Sequence, residues 1–200
     1  MINFYNLQKK RRSIYALGKN ITKTDEEIYD VIKKSVRESP TSFNSQSVRA
    51  VVLFGDSNKK LWNITLDKLH EVSKSEDAFE KTANKVNNSF KSGIGTVLLY
   101  TDEKVVKNLE NKFPSYAANF YDWSEQAIGI ADYSIWVALA EMGIGASNQH
   151  YNPLIDEEVA KEFNIPDDWI LRAEIPFGSI EAPAGEKDYM EDNKRFKIFK

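Results

Sequence analysis

The chain has 200 residues, with 42% hydrophobic and 28% charged side chains and a formal net charge of −3. These values suit one globular domain over residues 1–200 and argue against a general binder of nucleic acid or anionic membranes. The lack of cysteine excludes disulfides, thiolate nucleophiles and cysteine-ligated metals. No apolar run reaches the roughly 20 residues of a membrane helix, and the N-terminus lacks the order of a secretory signal. We therefore predict a soluble, cytoplasmic protein.

The first half of the chain predicts four helices around one strand. MINFYNLQKK indicates a short helix, and Thr24 with Glu27 forms a capping box ahead of a second one. Pro40 ends that second helix because the residue before a proline avoids the helical region. The apolar run AVVLF (50–54) indicates a buried strand. Two further helices are marked by residues at helical spacing: Leu61, Thr65, Leu69 and Val72, then Phe79, Ala83, Val86 and Phe90.

The second half carries further strands and the longest helix. IGTVLLYT (94–101) indicates a second buried strand, and helical spacing returns from Val105 to Phe113. The stretch 124–142 is apolar on almost every side, which is typical of a helix inside a molecule or between two molecules. IGASNQH and WILRAEIPFG predict a third and a fourth strand, with a helix at 156–163 between them. RFKIF predicts a last strand in a tail without a core of its own. Because helices and strands do not alternate strictly, we predict the α+β class.

Several common active sites are missing from the sequence. The two histidines are His70 and His150, and no carboxylates stand at metal-ligand spacing, so we predict no metal site. His70 fits a surface position on a helix. There is no Gly-x-Ser-x-Gly elbow and no P-loop, and the Gly-x-Gly fragments at Gly93 and Gly143 lack the third glycine of a dinucleotide fingerprint.

A polar loop and two basic clusters remain as candidate binding elements. SPTSFNSQS (39–47) holds more hydroxyls and amides than a connector needs. Lys9 to Arg12 stand directly before Ser13, and KRFK (194–197) lies in the tail. Such clusters are typical of solvated helix ends, and they also suit an anion site, because arginine grips phosphate through two parallel hydrogen bonds. Together these groups suit a ligand with a phosphate, a polyol and a flat heterocycle, such as FMN.

The same motifs resemble those of the nitroreductase family of FMN-dependent oxidoreductases. The family's usual Arg-x-Ser opening stands here as Arg11-Arg12-Ser13 within RRSIYAL. SPTSFNSQ matches its Ser-Pro-[Ser/Thr]-x-x-Asn-x-Gln motif. RRSIYAL paired with NQHYNP is most similar to the small fatty-acid-repression-mutant-like subfamily of yeasts and bacteria. The resemblance covers nearly the whole chain.

The resemblance implies an architecture and a quaternary structure. It implies a mixed, mainly antiparallel central sheet flanked by helices, in an intertwined homodimer. The long helix would lie at the dimer interface, and the C-terminal tail would be exchanged onto the partner. Two FMN sites would result, each lined by both subunits.

The resemblance also implies which residues bind the cofactor. Arg11 and Ser13 would hold the FMN phosphate and the polar edge of the flavin, with Arg12 close by. Arg195 and Lys197 would grip the phosphate from the tail. Residues of the polar loop would come from the other subunit and line the ring and ribityl chain, with the last of them completing or bracing the loop: Pro40, Thr41, Ser42, Asn44 and Gln46. Three more would lie along the isoalloxazine near N5: Gln149, His150 and Tyr151.

The implied activity is ping-pong hydride transfer through flavin N5. NADH or NADPH would stack on the flavin, and a nitroaromatic or quinone acceptor would then take the same place. His150 is either a proton donor to the acceptor or a structural residue. Six aromatic residues are candidates for the pocket over the ring or, alternatively, for interface packing: Phe43, Phe113, Tyr116, Phe120, Tyr121 and Trp123.

Two other functions are compatible with these residues. A non-catalytic FMN-binding or regulatory protein of the same fold would bind FMN, but NAD(P)H would not bleach the flavin at a useful rate. A small nucleic-acid binder would use residues 9–12 and 194–200 and would show steep salt dependence. The negative net charge and the lack of a nucleic-acid motif argue against this binder.

Overall fold

The structure is a computed structural model that describes residues 3–200. Its helices are α1 (Phe4–Lys10), α2 (Asp25–Glu38), α3 (Gly55–Val72), α4 (Glu76–Ser89), α5 (Glu103–Lys112), α6 (Ala117–Glu141), α7 (Asp156–Phe163) and α8 (Asp192–Arg195). Its strands are β1 (Leu17–Gly18), β2 (Val48–Phe54), β3 (Gly95–Asp102), β4 (Gly145–Ala146) and β5 (Trp169–Ile180). The start of the first predicted helix, at residues 1 and 2, lies outside the described residues.

The central sheet is built on β3. The strands follow the order β1-β5-β3-β2, with β4 also paired to β5, and every strand pair is antiparallel. A parallel bridge between Ser13 and Ala146 makes the sheet mixed. All residues of β3 are buried, because helices cover both faces of the sheet. The predicted α+β class and the mainly antiparallel sheet are confirmed.

Two hydrophobic cores fill the space between the sheet and its helices. On one face, Val97, Leu99 and Ile175 pack against apolar residues of α2 and α6. On the other face, Leu98 and Leu171 meet the helices α3, α4 and α7. Side chains of a strand alternate between faces, so an uninterrupted apolar run such as GTVLLYT supplies both cores.

Side-chain caps fix the first turns of two helices, α2 and α5. Thr24 Oγ1 accepts from the Glu27 amide at 3.2 Å, and Glu27 Oε2 accepts from the Thr24 amide at 2.9 Å, so the predicted capping box is confirmed. Asp102 caps α5 by accepting from the Val105 amide at 3.1 Å.

His70 is exposed and bonds Glu76, as expected of a surface residue. Within residues 3–200, no helix is long and apolar enough to cross a membrane.

The predicted boundaries of the long helix were too narrow. Helix α6 begins at Ala117 rather than at Ser124, directly after a 3₁₀ turn at Pro114–Tyr116. The added residues include exposed polar positions beside Phe120, which is buried, so they lack the all-round apolar character used to find the helix. Along its length α6 packs mainly on α2 and α5 and crosses the sheet.

Two strand predictions need correction. IGASNQH runs along β5, but it forms a ladder only at Gly145–Ala146, with an isolated bridge from Gln149 to Glu174. RFKIF forms no strand: Arg195 ends α8, and the following residues are exposed without a ladder partner. A strand needs a neighbouring strand to pair its backbone groups, and one chain offers none to this tail.

Candidate functional site

The N-terminal basic segment is placed by the end of α1 and by the sheet edge. Helix α1 ends at Arg11, with Lys9 and Lys10 in its last turn. Ser13 then bridges to Ala146, and the Ile14 amide donates to the Ala146 carbonyl at 2.9 Å. These bonds set the Arg11–Ser13 segment beside the stretch that follows α6.

An open cavity of about 560 Å³ lies against this segment. Arg11, Arg12 and Ser13 line it from one side, together with the next three residues of the chain. The start of the tail, 182–185, lines it from the other side. Arg12 Nη2 donates to the Gly185 carbonyl at 2.9 Å, which ties the tail to the end of α1. The structure thus brings together all three of the predicted N-terminal binding residues.

The Arg11 guanidinium is held over an aromatic ring. It lies 4.4 Å from the ring centroid of Trp136, a stacking that suits the flat guanidinium group. The indole itself is fixed, because Trp136 Nε1 donates to the Ala146 carbonyl at 3.2 Å. Arg11 Nε is buried and has no hydrogen-bond partner within residues 3–200. A buried unpaired donor on a cation favours an anionic ligand.

A buried acid of α6 stands behind Arg11. Asp132 is 9% exposed, and its Oδ2 accepts from Asn148 Nδ2. Its Oδ1 and the Asn148 Oδ1 have no partner in the described chain. Burial raises the pKa of Asp132 to about 6, and the positive charge of Arg11 and the Asn148 bond act in the opposite direction.

We expect the stability of the protein to depend on pH through Asp132. Its folded pKa lies above the unfolded value of 3.8, so its contribution is fully present below pH 4 and is lost as the pH rises through 6. Asp132→Asn removes this loss. Relative to wild type, its free energy of unfolding should improve by about 2–3 kcal/mol between pH 4 and pH 7. Urea titrations across this range measure the difference.

The control for this prediction is Asp122→Asn, which changes an exposed acid of the same helix. A constant difference between Asp132→Asn and wild type from pH 4 to pH 7 would contradict the prediction.

The Gln149–Tyr151 segment continues along the edge of β5. Gln149 exchanges two backbone hydrogen bonds with Glu174, at 2.8 and 3.0 Å, and its Nε2 donates to Ser147 Oγ. The His150 side chain is exposed. The Tyr151 ring turns inward and lies edge-on to Trp62, 5.8 Å between centroids. The Ser13–Ala146 bridge places this segment a few residues along the same edge from the basic segment.

The polar loop lies elsewhere in the single chain. Ser42–Asn44 forms a 3₁₀ turn, and three residues have positive φ: Phe43, Asn44 and Gln46. The Gln46 amide donates to Thr41 Oγ1 at 2.9 Å, so this hydroxyl braces the loop. None of these residues, nor Pro40, lines the cavity at Arg11.

Aromatic side chains surround the tip of that loop. Phe43 is 53% exposed and lies 4.8 Å from Phe113 and 6.2 Å from Trp123, centroid to centroid. Tyr116 and Phe120 complete the cluster at 6.1 and 5.5 Å from Phe43. Tyr121 points to Arg172 instead, at 5.9 Å from its guanidinium carbon. Five of the six predicted aromatics are therefore brought together.

The predicted phosphate contacts of the tail are not near the cavity in one chain. Arg195 and Lys197 are both exposed, and neither lines the space at Arg11. The cationic tail residue that does line it is Lys187.

Sequence reasoning missed Asp132, Trp136, Asn148 and Glu174. One signal was available: Asp132 is the single charged residue in the apolar run 127–140, and Trp136 stands one helical turn later. A charge in such a run is costly unless it has a partner or a task. Glu174 gave a weaker signal, as a lone acid in the apolar stretch after Arg172.

The chain belongs to the nitroreductase family. The sequence profile described as "Nitroreductase family" matches residues 9–179. The family makes the protein a flavin oxidoreductase and confirms the predicted resemblance. The chain is 37% identical to HBN1 of Saccharomyces cerevisiae over 185 residues, which is 92% of this chain and 91% of the relative. It is 27% identical to the nitroreductase FRM2 of the same yeast over 192 residues, covering 95% and 94%.

Solved structures share the fold over the whole chain. Nitroreductase CinD from Lactococcus lactis in complex with chloramphenicol is 48% identical, with a TM-score of 0.91 over 99% of this chain and 100% of that chain. A nitroreductase with bound FMN from Desulfitobacterium hafniense is 15% identical, with a TM-score of 0.72 over 100% of each chain, and shares the fold.

Proposed function

We propose that this protein is an FMN-dependent NAD(P)H oxidoreductase that reduces nitroaromatic and quinone-type acceptors. It works as an intertwined homodimer with two FMN sites, each completed by the partner subunit. The same cofactor site serves the reductant and then the acceptor, which gives ping-pong kinetics. Bound FMN supplies the hydride chemistry, and the chain binds and orients it.

The observation that carries this proposal is the environment of the Arg11 side chain. Its guanidinium is stacked on Trp136 at the wall of a cavity, with a buried Nε that lacks a partner in the described residues. Arg12 and Ser13 line the same cavity. Two guanidinium groups and a hydroxyl fit the phosphate end of FMN, because charge-assisted bonds to phosphate satisfy several donors at once. The cavity volume, about 560 Å³, falls within the usual range for cofactor sites.

The polar loop supports a site shared between subunits. Pro40, Thr41, Ser42 and Asn44 do not reach the Arg11 cavity of their own chain, so we assign them to the flavin of the partner. The loop backbone is held in a left-handed conformation at Phe43 and Asn44. This conformation is costly for a bulky residue such as Phe43, and such costs are typical of functional loops.

The exposed tail supports the dimer. Residues 185–200 are exposed throughout, and they include large apolar side chains: Tyr189, Met190, Phe196, Ile198 and Phe199. Phe199 alone is 88% exposed. Isolated chains rarely present so much apolar surface in one segment, so we assign it to the surface of a second subunit. There Arg195 and Lys197 would reach the phosphate from the tail.

Ligands of a similar protein support the substrate classes. CinD structures hold 4-nitrophenol and nicotinic acid, at 48% and 47% identity to this chain. The first is a nitroaromatic, and the second is the acid counterpart of nicotinamide. For this chain we assign the aromatic cluster around Phe43 to the acceptor site, because flat acceptors stack on aromatic faces.

The test has two stages. Purified protein should be yellow, and the released chromophore should be FMN. Anaerobic NADH or NADPH should then bleach the bound flavin, and 4-nitrophenol or a quinone should restore the colour. Initial rates measured against the concentration of NADH or NADPH, at several fixed acceptor concentrations, should give parallel double-reciprocal lines. A colourless protein that takes up no added FMN contradicts the whole proposal. If FMN is bound but neither NADH nor NADPH bleaches it, the protein is a non-catalytic flavin-binding protein.

A further inference from the structure

One fully buried residue, Glu174, binds the backbone of the Gln149–Tyr151 segment at three points, twice through its own backbone and once through its carboxyl group. The backbone of Glu174 accepts from the Gln149 amide at 2.8 Å and donates to the Gln149 carbonyl at 3.0 Å. Its side chain then accepts from the Tyr151 amide, 2.9 Å from Oε2. One residue of β5 thus fixes the peptide groups on both sides of His150.

These bonds determine where the backbone groups of His150 point. In a trans peptide the N–H and C=O point in opposite directions. Within residues 3–200, the cis peptide bond is Asn152–Pro153, so the peptides on either side of His150 are trans. The Gln149 carbonyl and the Tyr151 amide face Glu174, so the His150 N–H and C=O both point away from it. They form a donor beside an acceptor.

The His150 pair is free to bind a ligand. Neither group makes a backbone hydrogen bond in the described chain. A neighbouring donor and acceptor match the edge of a heterocycle in which such groups alternate, as in the flavin ring. The pair is rigid as long as Gln149 and Tyr151 stay bound to Glu174.

The carboxyl of Glu174 lies in an unusual environment for an acid. It is fully buried, and its Oε1 has no partner in the part of the chain that the structure describes. The titratable groups that face it are Tyr100 from β3, Asp156 from α7 and Tyr151. The neighbouring helices α3 and α4 present the apolar rings of Trp62 and Phe90.

Opposing effects set the protonation state of this group. Burial, together with the negative charge of Asp156, raises the pKa of Glu174 to about 8, against the hydrogen bonds from the amides of Tyr151 and Asn152, which lower it. Burial also raises the pKa of Asp156, and the nearby cation Arg172 acts on it in the opposite direction. The carboxyl is therefore mostly neutral at pH 7, and a neutral carboxyl still accepts the Tyr151 bond through its carbonyl oxygen.

We propose that Glu174 is a positioning residue, which holds the His150 backbone pair in the orientation that binds the edge of the flavin ring. This role rests on the proposed FMN site. It requires a hydrogen-bond acceptor at position 174 and does not require a charge. It assigns the flavin contact at His150 to the backbone, so the imidazole is dispensable for it.

Two substitutions separate the acceptor from the charge. Glu174→Gln keeps an acceptor oxygen, and Glu174→Met keeps the length and the unbranched shape without one. We expect Glu174→Met to raise the Kd for FMN about tenfold and Glu174→Gln to stay within about twofold of wild type, as the loss of one bond in a preorganised site predicts. His70→Ala, which removes an exposed imidazole far from this segment in the sequence, serves as the control and should bind FMN like wild type.

A second readout uses the protein without FMN. Amide hydrogen exchange should show Tyr151 protected in wild type and in Glu174→Gln, and exchanging at least tenfold faster in Glu174→Met. The Tyr151 amide shift should titrate near pH 8 in wild type and stay constant in Glu174→Gln, because that amide donates to the Glu174 carboxyl.

The outcomes are distinct. Equal FMN affinity in Glu174→Gln and Glu174→Met overturns the proposal, whether both lose binding or neither does. Equal Tyr151 exchange in Glu174→Met and wild type overturns it as well. If wild type itself binds no FMN, the proposed function fails, and the exchange data still decide whether Glu174 holds the segment.

Discussion

Replacing Arg11 by alanine is expected to weaken FMN binding at least 100-fold. At the proposed site the guanidinium would supply charge-assisted hydrogen bonds to the phosphate, each worth about 1.5–3 kcal/mol, and two such bonds exceed the required loss. Stacking on Trp136 orients the group before the ligand arrives, so little freedom is lost on binding. Quenching of FMN fluorescence in a titration of the protein freed of flavin measures the Kd.

Two variants test the cause of this effect. Arg11→Lys keeps the charge but loses the planar fork, so it should recover only part of the affinity. Arg37→Ala removes an arginine whose side chain is 81% exposed on α2, and it should bind FMN like wild type. Unchanged affinity in Arg11→Ala would mean that the phosphate binds elsewhere and would contradict the proposed site.

Deleting residues 186–200 is expected to convert the protein to a monomer that does not retain FMN. The tail buries almost nothing against its own chain, so its loss leaves both hydrophobic cores intact. Its apolar side chains and the cations Arg195 and Lys197 would all be lost from the partner's surface. Sedimentation velocity measures the mass of the particle, and the flavin absorbance of the purified protein measures retention.

Two double variants separate the contribution of the tail's apolar side chains from that of its cations. Phe196→Ser with Phe199→Ser removes apolar contacts at full length and should weaken the dimer. Arg195→Ala with Lys197→Ala removes the cations and should leave a dimer with reduced FMN affinity. A truncated protein that remains a dimer with bound FMN would show that the tail does not embrace the partner.

The two predictions concern groups that different subunits would contribute to one site. Arg11 is positioned within its own chain, by Trp136 and by the Ser13–Ala146 bridge. Arg195 depends on a second subunit, because it reaches no part of the cavity in one chain. Loss of binding in the Arg11 variant with an intact dimer would therefore separate phosphate recognition from assembly.

Much of the fold could be predicted because its signals are local. The capping box at Thr24 and Glu27 and the break at Pro40 act over three or four residues, and a sequence shows them directly. The buried strands appear as short apolar runs, since both faces of the sheet are covered. The family motifs at Arg11–Ser13 and at 39–46 are equally local, and the family assignment followed from them.

The errors fall where structure depends on a neighbour. RFKIF has the composition of a strand, but no strand lies beside it in one chain, so it stays unpaired. IGASNQH follows β5 but pairs with it only at Gly145–Ala146 and at Gln149, and between these points the Asn148 side chain bonds Asp132 of α6. The start of α6 escaped notice because its first turns are apolar on one side only.

The sequence by itself determined most of the helices, the long buried strands, the family and the basic segment Arg11–Ser13, because each rests on residues close together in the chain. Only the tertiary structure decided what stands around those residues. Trp136 lies under Arg11, Asp132 is bound to Asn148, and Glu174 holds the peptides around His150. These pairs join residues up to 125 positions apart, as with Arg11 and Trp136, and their burial shifts the acids' pKa values. The burial of these two acids depends on how distant elements pack around them, which no local pattern encodes.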